Sequence, residues 1–424
     1  MKRNILFLLV VWLVPSLLVA QTEGLFADSD ELANDTLTAD TMAVDSLSEV
    51  SDRLGLPWPQ NVAKRLDALL RHSMFETSQV GIMVYDLTAD SVIFTHGERQ
   101  MLRPASTMKL VTAIAAIDRL GESYQFRTSL YYKGKISEHV LSGDVYCVGG
   151  FDPRFNTDDM HAFVEGIRQM GVDTIRGRIL ADKSMKDADL MGKGWCWDDD
   201  NPVLSPLLIS RKDVFLERFV EGLRAAGIVV EATCEEGRLP DGAYIVCTRF
   251  HTLDQVLMRM MKESDNLYAE SLFYQLAALS GNKPATASDA CTAIRRLITK
   301  VGLDPSHYKI ADGSGLSLYN YLTAELEVRM LRYAYRNSNI YLHLYPSLPV
   351  AGRDGTLRKR MRTGFAAGNV HAKTGTLTGI TSLAGYLTAV NGHVLCFSII
   401  NQGVMHERNG RDFQDRVCTA LCKP

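Results

Sequence analysis

After residue 20 the chain has no apolar run long enough to span a membrane, which excludes a multi-pass membrane protein. It has no Cys-x-x-Cys and no His-Glu-x-x-His, so spacing gives a metal site no support, and nothing else calls for a cofactor. No cysteine follows the first apolar run, which argues against a lipid-anchored N-terminus. No internal repeat is evident, which excludes a repeat array. Residues 21–52 contain nine acidic residues and no basic one. The chain carries −3 overall, so removing those nine acids and the bases Lys2 and Arg3 leaves the rest at +4. So mild an excess makes no case for nucleic-acid binding.

What is present is globular. The chain has 424 residues, 46% hydrophobic and 22% charged, enough for two or three domains with a sizeable core. Residues 1–20 read as a signal peptide, with Lys2 and Arg3 as the basic end and residues 5–19 apolar. Ala20 is the cleavage residue, although Leu18 departs from the small residue preferred two positions before it. The run is short for a spanning helix, which favours cleavage over a retained anchor. Residues 21–53, rich in Asp, Ser, Thr and Ala, form an acidic flexible linker.

The spacing predicts a hairpin from residues 79–85 and 91–95, turning at Thr88 to Asp90. Residues 110–120 read as a helix apolar on nearly all sides, which belongs inside the protein. Residues 123–246 mix short β-like runs (128–133, 140–148 and 179–181) with Gly, Asp and Pro turns, and look like an insertion. Helical spacing returns over 253–279, with a possible break at 264–266, and again over 291–301. Asn391-Gly392 between two apolar β-runs predicts a hairpin over 381–401. Eight cysteines at 147, 196, 234, 247, 291, 396, 418 and 422 could form disulfides after export. Cys234 and Cys247 flank a turn-rich stretch and could staple a hairpin. Cys418 and Cys422 stand four apart on an expected last helix, a poor geometry for bonding each other.

Three short motifs stand in order: Ser106-Thr-Met-Lys109, Ser264-Asp-Asn266 and Lys373-Thr-Gly375. Together they supply a nucleophile, a base, a proton relay and an anion-binding cation, the inventory for acyl transfer through a serine ester. Lys109 lies one helical turn after Ser106 and can reach its Oγ. It can act as a base if burial and a second cation, Lys373, lower its pKa. The helix start at Ser106 offers backbone N–H groups for an oxyanion, and Thr376 N–H could be the second donor. Ser264 could pass a proton to the leaving amine, and Asn266 could orient Lys109 or the substrate amide. Lys373 and Thr374 could hold a substrate carboxylate.

Each motif also has an ordinary reading. Ser106 could be a helix cap, Ser264 to Asn266 a polar turn, and Lys373 a solvated surface lysine. A second S-x-x-K stands at Ser306 to Lys309 and a second S-x-N at Ser280 to Asn282; only the K-T-G is unique.

From about residue 80 onward the chain resembles the low-molecular-mass, class C penicillin-binding proteins of the D-alanyl-D-alanine carboxypeptidase/endopeptidase type. The resemblance rests on seven blocks in order: Pro104-Ala-Ser-Thr-Met-Lys109, Gly149-Gly-Phe-Asp-Pro153, Gly194-Trp-Cys-Trp-Asp-Asp199, Lys262-Glu-Ser-Asp-Asn266, Ala311-Asp-Gly-Ser-Gly-Leu-Ser317, Leu348-Pro-Val-Ala-Gly352 and His371-Ala-Lys-Thr-Gly-Thr-Leu-Thr-Gly379. It implies an α+β sandwich with a β-lactamase/transpeptidase-like core, an antiparallel sheet flanked by helices, and a β-rich inserted domain. The expected division is a catalytic domain at 54–122 and 250–424 and an accessory domain at 123–249.

The resemblance also implies a periplasmic enzyme that cleaves peptidoglycan stem peptides and is acylated by β-lactam antibiotics. It makes Ser106 the nucleophile, Lys109 the base, Ser264 and Asn266 the second motif, and Lys373 with Thr374 and Gly375 the third. Asp199 resembles a position that contacts the amine of a substrate side chain. Leu318 stands where the family often has Arg, and Thr378 where a longer amide can occur, so the choice of peptide is expected to differ. The insert is shorter than in the larger members, and one accessory subdomain is expected to be reduced or absent. Two alternatives are a β-lactamase, for which no glutamate is marked by its context to activate water, and a non-catalytic wall-binding protein.

Overall fold

The structure, a computed structural model, describes residues 55–424. The leader and linker expectations, residues 1–20 and 21–53, lie outside the described residues. In chain order the elements begin with α1 (Trp58–Leu69), β1 (Gln79–Asp86), β2 (Ser91–His96) and α2 (Met108–Leu120). Then come β3 (Gln125–Ser137), β4 (Val140–Val148), α3 (Thr157–Gln169), β5 (Thr174–Asp182), α4 (Phe215–Ala225), β6 (Val229–Glu236) and β7 (Tyr244–Thr252). Helices α5 (Leu253–Lys262), α6 (Asn266–Ala278), α7 (Ala287–Lys300), α8 (Ala324–Arg336) and α9 (Ser338–Ser347) follow. The last elements are β8 (His371–Leu377), β9 (Ile380–Thr388), β10 (Val394–Gln402) and α10 (Glu407–Cys422). Among the described residues no helix is long and apolar enough to cross a membrane.

One five-stranded sheet has the order β2-β1-β10-β9-β8, antiparallel throughout. Side chains alternate across a strand, and both faces of this sheet are covered. Met83, Tyr85, Ala384, Tyr386 and Cys396 join the apolar side chains of α2 and α5 to α9. Ile82, Val84, Leu383, Phe397 and Ile399 join those of α1 and α10 instead. Burial on both faces explains why β9 and β10 read as almost unbroken apolar runs. The β1–β2 and β9–β10 hairpins form where the spacing puts them, the second closed by Ala389 N–H to His393 O at 2.8 Å. The α+β expectation holds: an antiparallel sheet sits between helical layers.

The second sheet has the order β6-β5-β4-β3-β7, and all its strands fall between Gln125 and Thr252. It is mixed: β4–β5 and β5–β6 are parallel, β3–β4 and β3–β7 antiparallel. Helices α3 and α4 cover it with an aromatic cluster of Phe155, Phe163, Phe215 and Phe219. The order corrects one expectation. Cys234 on β6 and Cys247 on β7 do not staple a hairpin, because these strands occupy opposite edges of the sheet, and both thiols are free. Strand β6 joins β5 in parallel after the α4 crossover, so the turn between β6 and β7 spans the sheet instead of closing it.

Candidate active site

Residues 105–107 form a 3-10 turn that runs straight into α2, and Ser106 stands on that turn. It is not a helix cap. Thr107 holds the N-cap position of α2 and no side chain caps the helix. The Ser106 hydroxyl instead accepts a hydrogen bond from Lys109 Nζ at 2.8 Å. Ala105 adopts φ +50°, a left-handed backbone that costs a non-glycine residue about 1 kcal/mol or more. Neighbours hold the turn in place: Ser382 Oγ donates to Pro104 O at 2.5 Å, and Thr107 Oγ1 donates to the same oxygen at 2.8 Å.

The helical run over 253–279 is two helices broken where the spacing allowed it, with Ser264 at the break, also left-handed at φ +58°. Asp265 caps α6 through Leu267 N–H. It is itself gripped by Arg259 Nε at 2.8 Å and by Arg211. This break turns Asn266 toward α2, where its Oδ1 accepts from Lys109 Nζ at 2.7 Å. Lys109 makes a third bond, to Ser314 O at 2.8 Å. Its ammonium is completely buried, with every proton directed at an oxygen.

Lys373 is also completely buried, so it is no solvated surface lysine. Its Nζ donates to Ser264 Oγ at 2.8 Å and to Thr374 O at 2.7 Å. Thr374 Oγ1 donates to Thr356 Oγ1 at 2.7 Å. Gly375 shows why the third motif ends in glycine. A Cβ there would stand 2.8 Å from both Ser106 N and Pro104 O, and 2.2 Å from Ser382 Oγ. The edge strand β8 thus lies directly against the turn that carries Ser106. Thr376, next along β8, is exposed.

Burial lowers the Lys109 pKa to about 8, against the opposing pull of Asp312, Glu270 and Asp265. Lys373 is held well below its ordinary value, first by burial and then by the Lys109 charge. The expected electrostatic push of one cation on the other therefore acts on Lys373, whereas burial is the main force on Lys109.

The structure brings Ser106, Lys109, Asn266, Ser264 and Lys373 into one cluster, the candidate cleft, with Thr374 and Gly375 beside it on β8. Among the described residues, Asp199, Leu318 and Thr378 stay outside this bonded cluster. Asp199 is on an exposed loop, its backbone tied to Cys196 and Asn201. Leu318 is 37% exposed, its carbonyl bonded by Arg103 Nε at 2.9 Å. Thr378 is exposed in the β8–β9 turn. The duplicate motifs are ordinary turns. Ser306 N–H bonds Asp304, Lys309 pairs through its backbone with Tyr321, and Ser280 Oγ accepts from Asn282 N–H.

Sequence reasoning assigned no role to Asp312 or Glu270. Asp312, 1% exposed, accepts from Trp195 Nε1, Gly315 N, Ser317 N and Asn320 Nδ2. Glu270 bonds the backbone of Gly313 and Ser314. The available signal was a lone carboxylate in the otherwise mostly apolar α6 sequence.

Known proteins resemble this arrangement. A D-alanyl-D-alanine carboxypeptidase of Actinomadura sp. (strain R39) is 25% identical over 436 residues, covering 80% of each chain. D-alanyl-D-alanine carboxypeptidase DacB of Haemophilus influenzae is 24% identical over 413 residues, 77% of this chain and 86% of its own. The crystal structure of penicillin binding protein 4 (dacB) from H. influenzae matches with a TM-score of 0.77 at 23% identity, covering 84% of this chain and 98% of that one. A predatory endopeptidase from Bdellovibrio bacteriovorus shares the fold at a TM-score of 0.52 and 18% identity, covering 79% of this chain and 89% of that one. Residues 62–211 and 208–422 match the family described as D-Ala-D-Ala carboxypeptidase 3 (S13). A match over nearly all the described residues, with the cleft inside it, makes this chain a member of the D-Ala-D-Ala carboxypeptidase 3 (S13) family.

Proposed function

We propose that the protein is an exported serine D,D-peptidase that cleaves the D-alanyl-D-alanine end of peptidoglycan stem peptides. The observation that carries this reading is the buried Lys109 ammonium, 2.8 Å from Ser106 Oγ and lowered to about pKa 8. At neutral pH about one lysine in ten at such a site is uncharged and able to take a proton. Neutral Lys109 accepts the Ser106 proton as Oγ attacks the carbonyl carbon. The oxyanion is held by the backbone N–H groups of Ser106 and Thr376. Ser264, bonded to Lys373, relays to the departing D-Ala nitrogen the proton that Lys109 took up, the C–N bond breaks, and Lys109 is left neutral for the hydrolytic half. Water then attacks the ester, returning Ser106 and a shortened peptide acid.

Strand β8 is an edge, so its open backbone groups can receive the substrate as an added strand. Lys373 and Thr374 bind the terminal carboxylate. Asp199, Leu318 and Thr378 line the outer approach and contact the stem-peptide side chain. The strands of residues 123–249 form an accessory domain that shapes this approach. Export is supported by the leader-like residues 1–20. β-Lactams acylate Ser106 in the same way; the H. influenzae protein was crystallised with one. A cross-linked peptide can replace D-Ala as leaving group, a reading favoured by the fold shared with the predatory endopeptidase.

The test is D-Ala release from pentapeptide muropeptides by wild type and Ser106→Ala. Release by the wild type alone is expected. Equal release by both, or none by either, would refute the reading.

A further inference from the structure

Two buried carboxyl groups near Lys109, Asp312 and Glu270, have no task in the proposed mechanism. Glu270 stands on α6 one turn after Asn266 and is 1% exposed. A carboxyl group stripped of water in this way must be bonded by protein. Its Oε1 accepts from Ser314 N–H at 2.7 Å and Gly313 N–H at 3.1 Å, and its Oε2 from Gly313 N–H at 3.2 Å. The carbonyls of the same two residues face α2. Ser314 O accepts Lys109 Nζ at 2.8 Å, and Gly313 O accepts Thr112 Oγ1 at 2.7 Å. The clamp is tight: a Cβ on Gly313 would stand 2.5 Å from the Phe273 side chain and 2.9 Å from Ala269 O.

We propose that Glu270 is a positioning residue for acylation, holding Lys109 through the backbone of Gly313 and Ser314. The proposal rests on the roles given above to Ser106 and Lys109. Burial raises the Glu270 pKa to about 8 and Asp312 adds to the rise, while the bonds from Ser314 and Gly313 oppose it. The ionisable groups around the pair are Asp312 on the loop after α7, Asp265 at the α6 cap, Tyr274 on α6, Cys291 on α7 and Lys373 on β8. At neutral pH most of this carboxyl is uncharged; as it ionises near pH 8 its charge favours protonated Lys109, so removing it lets the lysine become neutral at somewhat lower pH.

The test measures the labelling rate of the full-length protein by a fluorescent penicillin from about pH 5 to about pH 10. The wild-type rate should rise through an inflection at about 8. Glu270→Gln should move that inflection to lower pH and lower the plateau roughly tenfold, because the clamp loses an acceptor. Glu270→Asp keeps the charge on a shorter arm, so the inflection should stay while the plateau falls. A folded Glu270→Gln with the wild-type inflection would overturn the proposal. So would an aspartate variant with a shifted inflection or an unchanged plateau, which decides the matter alone if the glutamine variant does not fold. A merely structural Glu270 would lower the rate equally at every pH. Absence of label from wild-type Ser106 would instead sink the underlying assignment of the nucleophile, and this inference with it.

Discussion

Lys109 and Lys373 are both fully buried, yet the proposed chemistry asks opposite things of them. Lys109 must lose its proton to serve as a base, and Lys373 must keep one to hold a carboxylate. Lys109 is depressed to about 8, so its neutral fraction grows as pH rises through that value. Acylation should therefore be slow in acid and rise toward about pH 8. A pH profile of penicillin labelling checks this rise, and a profile flat between about pH 6 and 9 contradicts it. Lys109→Ala should lower the labelling rate by about 10³-fold or more, since base and anchor are removed together. At this scale the ordered motifs were legible because each carries its chemistry within a few residues. Glu270 and Asp312 were not, because they act on Lys109 and on the 312–320 loop through contacts that only the fold creates.

Strand β8 and the Ser106 turn approach so closely that Gly375 has no room for a side chain. Gly375→Ala should push the strand off the turn and reduce penicillin acylation about 10²-fold, the usual effect of a displacement near 1 Å at a reacting centre. Because β8 is an edge strand, thermal unfolding should change far less than activity, and a calorimetric scan beside the labelling assay separates the two. Element by element, legibility followed burial. Strands β9 and β10 are covered on both faces, and Asn391-Gly392 marks their turn, so that hairpin could be read directly. Strand β6 was missed because Val-Val-Glu-Ala-Thr-Cys-Glu-Glu at 229–236 leaves mostly exposed side chains and little apolar alternation. The Cys234 to Cys247 staple failed for a related reason. Closeness in sequence says nothing of closeness in space when consecutive strands take opposite edges of one sheet.

Across the whole molecule, the matched sequence blocks outside the three motifs act largely as braces. The Trp195 indole N–H donates to Asp312 Oδ2 at 2.8 Å, and Ser317 Oγ donates to Lys193 O, tying the 193–200 loop to the cleft. Gln275 Nε2 donates to Gly150 O at 2.7 Å and joins α6 to the stretch after β4. Lys262 bonds Leu348 O and Asp354, and Ala372 N–H bonds Pro349 O, so the 348–354 stretch props β8 against α5. Trp195→Phe removes one donor from the buried Asp312 and should destabilise the protein by about 1–3 kcal/mol, measurable by urea unfolding. Because it loosens the loop bearing Asp199, it should slow cleavage of cross-linked muropeptides more than labelling by penicillin. Equal losses in the two assays would remove that loop from peptide recognition.

The central claim is that Ser106 becomes covalently acylated. Mass spectrometry of the full-length protein after brief exposure to a penicillin tests it most directly. One adduct is predicted, carried by the proteolytic peptide that contains Ser106 and missing from Ser106→Ala. No adduct, or one on another residue, would contradict the account.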